Sequence, residues 1–127
     1  MATIADVIKA VDKLRPNQYS SADKTRWLSD CDGEIYNELA SNYEKSDDMP
    51  ESFAGYAEDA AGDTELLVKA PHDVLYRYWL MAQIDLHNME FAKYNNTSVQ
   101  FNVARQNFMN WYNRTHMPLH KGKYFKL

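Results

Sequence analysis

The sequence predicts an all-α protein, a bundle of about four helices with a long acidic inter-helix loop and an extended C-terminal tail. Three observations carry this. Apolar residues recur at three- and four-residue spacing in four separate stretches. Only 4 Gly and 4 Pro occur in 127 residues, which favours long elements over a β-sandwich. Ser, Thr, Asp and Pro stand where helices should begin or stop. At this length, with 45% apolar residues, the chain reads as one domain with a real core.

The first helix is expected from Thr3, with Asp6 as its capping partner. Ile4, Val7, Ile8, Val11 and Leu14 form a one-sided stripe, and Pro16 prevents continuation. The second should start near Ser20 or Ser21 and run to about Tyr43, burying Trp27, Leu28, Cys31, Ile35 and Leu39. Gly33 inside it marks a close helix contact or carries no role; the sequence leaves both open.

Between residues 44 and 70 the helical pattern lapses. Glu44, Asp47, Asp48, Glu51, Glu58, Asp59, Asp63 and Glu65 stand there against Lys45 alone up to Glu65, a local charge of −7. Connections this long are uncommon in compact domains unless they bind something or are disordered. Phe53, Tyr56 and the short extended run Leu66-Leu67-Val68 need burial, which argues against disorder.

Residues 71–115 read as two antiparallel helices. Pro71 suits a first helical position and Asp73 the positive helix start. Leu75, Tyr78/Trp79, Ala82, Leu86 and Met89 follow helical spacing. Asn95-Asn96 is the expected turn, with Thr97 or Ser98 capping the last helix. That helix carries Phe101, Ala104, Phe108, Trp111 and Tyr112 on one face. A pair this aromatic must be covered on more than one side, by this chain or by neighbours.

The expected division is a bundle over 1–116, with 44–70 as its loop, and a tail over 117–127. From Arg114 onward there are four basic residues and no acidic one. Met117, Leu119, Lys121, Lys123, Tyr124, Phe125, Lys126 and Leu127 are the candidate partner-binding residues, because so many apolar side chains are wasted on solvent. Lys121, Lys123 and Lys126 with Tyr124 and Phe125 can also touch phosphates and stack on bases, but three lysines release few counterions. The net charge of −4 and pI near 5.5 make the whole molecule a poor nucleic-acid wrapper. A small helical binding module or regulator, nucleic-acid-associated through this basic tail, is the alternative reading of function.

No enzyme is expected. There is no phosphate loop, paired-glycine nucleotide motif or nucleophile elbow. His116 and His120 are four apart, but Pro118 lies between them and no third ligand is offered, so no metal and no cofactor is expected. Asp85 is either a buried acid or base or, the preferred reading, a solvent-facing or partner-bonded carboxylate. Asp30, Asp32, Glu34 and Glu38 are read as helix-surface charges. The single Cys31 excludes an internal disulfide and is read as a small apolar side chain. The start Met1-Ala2-Thr3-Ile4-Ala5-Asp6 has no secretion-signal character, and no apolar run approaches the ~20 residues that span a bilayer. A protein of the cytoplasm, or of an assembly built there, is expected.

Several stretches resemble the small helical head–tail connector (adaptor) proteins of tailed bacteriophages and prophages. They are Asp63-Thr64-Glu65-Leu66-Leu67-Val68-Lys69-Ala70-Pro71-His72-Asp73, Tyr76 to Trp79, Lys93-Tyr94-Asn95-Asn96, and Asn110-Trp111-Tyr112-Asn113-Arg114-Thr115-His116-Met117-Pro118. The resemblance covers the C-terminal half, and the N-terminal helical pair by pattern alone. It implies a homo-oligomeric ring, commonly of twelve copies, under the portal protein at the capsid vertex. Such a ring extends the DNA channel and offers a platform to a stopper or tail-completion protein. It implies a virion location in the neck, and a C-terminal tail that reaches into the portal. The acidic loop would then face either the DNA lumen or a basic patch on a neighbour, and the sequence leaves both open.

Overall fold

The computed structural model describes residues 2–119. Among them are four helices: α1 (Ile4–Leu14), α2 (Ser21–Asn42), α3 (Val74–His87) and α4 (Phe91–Thr115). The all-α bundle is as expected. Its order is up-down-up-down, and α3 is the central element, touching each of the other three.

The first two helices begin where their caps require. Thr3 Oγ1 accepts the Asp6 N–H at 3.2 Å, and Ser20 Oγ accepts the Asp23 N–H at 3.1 Å. Ile4, Val7 and Val11 are buried, and Trp27, Leu28, Cys31, Ile35 and Leu39 of α2 join them in one core. Leu14, expected in the α1 stripe, is 57% exposed because it occupies the last turn before Pro16, beyond the reach of the core. Nothing lies within 4 Å of where a Gly33 Cβ would stand, so this glycine marks no close contact.

The 44–70 segment has no helix, and it is anchored at both ends. Leu66 and Val68 are fully buried, and Leu66 donates its N–H to Ala2 O at 3.0 Å while Ile4 donates to Thr64 O at 3.1 Å. Residues 64–66 thus run antiparallel to the start of the chain, with a bridge between Thr3 and Glu65. Earlier in the segment Tyr56 donates its N–H to Ser29 Oγ at 2.9 Å. This contact needs Gly55, which adopts φ +96° and whose Cβ, if present, would lie 2.6 Å from Ser29 Oγ.

The α3–α4 hairpin departs from expectation at both of its boundaries. Pro71 lies three residues ahead of α3, at a tight turn in which Leu75 and Tyr76 donate to the carbonyls of His72 and Asp73 at 3.3 and 3.1 Å. The Ala70–Pro71 peptide is cis. The turn between the helices falls at Asn88–Glu90 and not at Asn95-Asn96. Met89 has φ 62°; its N–H donates to Leu86 O at 3.0 Å and that of Glu90 to Asp85 O at 2.9 Å, the paired bonds of a Schellman cap. Met89, expected in the apolar stripe, is 73% exposed. Asn95 and Asn96 sit exposed inside α4, and Thr97 is buried there facing α3.

Ala104, Phe108 and Tyr112 are buried, with Phe101 and Trp111 half-buried beside them, so the predicted face of α4 does meet the core. After α4 the chain folds back along the end of α2. Glu44 N–H donates to Met117 O at 2.8 Å and Leu119 N–H to Asn42 O at 2.9 Å, around a Tyr43–Pro118 bridge. No helix of the described residues is long and apolar enough to cross a membrane.

Candidate functional site

Of the predicted partner-binding residues, Met117 and Leu119 are described. Both are about half-exposed, at 48% and 47%, while their backbones are held by the end of α2. Lys121, Lys123, Tyr124, Phe125, Lys126 and Leu127 lie outside the described residues, as does His120. His116 is taken up structurally. Its ring stacks on Tyr112 with centroids 3.5 Å apart, and its Nε2 lies 3.0 Å from Asp48 Oδ2. Burial alone would push Asp48 up, but bonds from Ser46 and His116 overcome it and hold the carboxyl below its usual range. Among the described residues no group of three or more His, Cys, Asp or Glu is arranged to hold a metal.

Asp32 corrects the surface reading. It is fully buried, and it accepts from Tyr56 Oη at 2.5 Å, Tyr76 Oη at 2.6 Å and Leu67 N–H at 3.1 Å. Tyr76 Oη in turn accepts the Val68 N–H at 2.8 Å. Burial raises the Asp32 pKa, opposed by those three donors. The tyrosine hydroxyls are pushed up by burial and by the carboxylate beside them. Both carboxylate oxygens are hydrogen-bonded, and the cluster clasps the 56–68 segment to α2 and α3. Asp30 and Glu34 are exposed and Glu38 is half-exposed, as read.

Asp85 is the second buried carboxylate. Arg15 Nε and Nη2 donate to its Oδ1 and Oδ2 at 3.1 and 3.4 Å, and Thr97 Oγ1 lies 3.1 Å from Oδ2. It is partner-bonded, in line with the preferred reading. The triad ties the end of α1 to α3 and α4. Cys31 is buried, and burial with Asp32 beside it pushes the thiol well up, which leaves it inert.

Two of the concave surfaces among the described residues flank the two ends of the long segment. One is a cleft of about 180 Å³ between the end of α2, segment 44–51 and Tyr112, walled by Tyr36, Tyr43, Met49 and Pro50. It is smaller than the roughly 300–1,000 Å³ typical of small-molecule sites. The other is a shallow groove between the start of α3 and α4, lined by Pro71, Val74, Tyr78, Val99 and Val103. Val99 and Val103 are 62% and 57% exposed.

The helix that carries this groove has an unusual composition. In its 25 residues α4 holds six Asn and three cations, Lys93, Arg105 and Arg114, and no acid. At the backbone level it approaches α3 alone among the helices, so its outer side is uncovered. Arg105 reaches Glu38 of α2 from one flank, and the Val99–Val103 groove opens on the other. Sequence reading missed this surface because it sought the inward aromatic face. The signal was present in the acid-free, amide-rich run from Phe91 to Thr115.

No protein-family model, curated protein or solved structure matches the chain.

Proposed function

We propose that this chain is a structural subunit of a ring at the neck of a tailed bacteriophage, docking on the portal and extending the DNA channel towards the tail. The observation that carries the reading is the uncovered flank of α4, where Val99 and Val103 stand exposed on a helix without an acid. Exposed valines grouped along one groove favour association. Two further features support it. The loop is strongly acidic and the C-terminal sequence basic, so copies and partners have complementary surfaces to read. The two buried carboxylates are both consumed by structural bonds, so the work proposed is scaffolding and not chemistry.

In this reading about twelve copies form the ring, the portal protein lies above, and a stopper or tail-completion protein lies below. The basic tail from Met117 to Leu127 supplies the contact with the portal. The test is native mass spectrometry and negative-stain imaging of the particle that contains this chain in its source. A rotationally symmetric ring attached to a larger assembly is expected. A lone 14.8 kDa monomer in native extract overturns the proposal. A monomer whose DNA affinity falls steeply with salt would favour the small binding module instead.

A further inference from the structure

The groove on the free flank of α4 has a built character. Val74, Val99 and Val103 line it, at 36%, 62% and 57% exposure. Gln100, Asn107 and Asn110 supply amides along it, and Arg114 lies at one end. Arg77 projects from α3 one turn beyond Val74 and is exposed. Among the described residues neither Arg77 nor Arg114 makes an ion pair. An occupant of this groove should therefore be narrow, acidic and rich in unpaired backbone groups for the amides to bind.

The same chain carries such a segment elsewhere. Residues 51–63 read Glu-Ser-Phe-Ala-Gly-Tyr-Ala-Glu-Asp-Ala-Ala-Gly-Asp and contain no helix. Ala54, Gly55, Ala57, Ala61 and Gly62 are exposed, as are Glu51, Glu58, Asp59 and Asp63. Glu58 faces Arg26 at 3.6 Å, whereas Asp59 and Asp63 make no ion pair among the described residues. This segment lies against α2 and the start of α1, through Tyr56–Ser29 and Ala5–Gly62 bonds. The groove opens on the flank of α4 that faces away from α2, so one copy cannot fill its own groove with it.

We propose that the α3–α4 groove receives the 51–63 segment of a second copy. The valines take the alanine and glycine strip, the amides take its free N–H and C=O groups, and Arg77 and Arg114 take Asp59 and Asp63. Groove and segment are different surfaces of one molecule, so the contact is heterologous and repeats from copy to copy. It closes into a ring when the rotation divides the circle. This inference rests on the ring reading and names the contact within it.

The test uses the full chain in three forms: unaltered, Arg77→Glu with Arg114→Glu, and Asp59→Lys with Asp63→Lys. All four positions are exposed, and circular dichroism checks that each form folds. Self-association is followed by sedimentation velocity over a concentration series at low salt. The unaltered chain is expected to associate, each reversed form alone to weaken at least tenfold, and an equimolar mixture of the two to recover, because groove and segment then match alternately. If both reversed forms associate as the unaltered chain does, or if that chain does not self-associate, the groove assignment is overturned. The ring reading falls separately, by the absence of a ring in the native particle.

Discussion

Tyr76 Oη donates to Asp32 Oδ1 at 2.6 Å while accepting the Val68 N–H at 2.8 Å. One hydroxyl thus joins α3, α2 and the buried end of the long segment. Tyr76→Phe keeps the ring and removes both bonds, leaving a buried amide donor unsatisfied and one carboxylate oxygen short. A loss of about 2–4 kcal/mol in unfolding free energy is expected from two such bonds, one of them charged. Tyr56→Phe, at a half-exposed residue, should cost less. Urea unfolding of the two variants checks the order. Equal losses would mean that the half-exposed hydroxyl carries as much as the buried one.

Asp32 also sets a sign for pH dependence. Burial raises its folded pKa above the unfolded value near 3.8, so the folded state holds its proton more tightly. Its contribution therefore grows as pH falls from above the raised value towards 3.8, and is lost again as pH rises through it. Asp12 and Asp48 act the other way. Both are held low, Asp12 by Lys24 and Asn17 against burial, so their contribution is present above 3.8 and lost as pH falls below it. The difference in unfolding free energy between the unaltered chain and Asp32→Asn should thus move in favour of the unaltered chain on acidification towards pH 3.8. A difference that is flat or opposite in slope would show that Asp32 is not the buried charge.

Met89 is the left-handed residue of the α3–α4 turn, with φ 62° and 73% exposure. An L side chain pays roughly 1–2 kcal/mol for that conformation, and glycine does not. Met89→Gly should therefore stabilise the protein by about 0.5–1 kcal/mol after the extra freedom of glycine in the unfolded chain is counted. Thermal or urea unfolding reads this directly. A destabilised variant would mean that the left-handed conformation costs Met89 less than the freedom glycine adds to the unfolded chain.

That turn also explains where sequence reading stopped short. A Schellman cap normally announces itself with glycine, and Asn88-Met89-Glu90 has none, whereas Asn95-Asn96 has the composition of a turn. Thr97 decides the matter by packing beside Asp85 within the bundle, and only the tertiary fold shows that. The starts of α1 and α2 were legible because Thr3 and Ser20 cap them locally. Asp32 was not legible, since its three donors come from 24 to 44 residues away. The candidate surface was half-legible: the acidic segment stands out in sequence, but the valines of α4 look like core until their flank is known.

Arg15 and Asp85 make the sharpest test of the bundle. Asp85 is fully buried on α3, and the Arg15 guanidinium reaches it from the end of α1 with two nitrogens, at 3.1 and 3.4 Å. Arg15 Nη2 also lies 3.4 Å from Thr97 Oγ1, so α4 joins the same cluster. Arg15→Ala strands a buried carboxylate and should cost about 3–5 kcal/mol. Adding Asp85→Leu to that variant removes the uncompensated charge and should recover a large part of the loss, because an apolar residue of similar volume suits the site. Unfolding curves of the single and double variants form the comparison. A double variant no more stable than Arg15→Ala would mean that the cluster holds the helices in register in a way apolar packing cannot replace, and that the cost of Arg15→Ala does not come from the stranded charge.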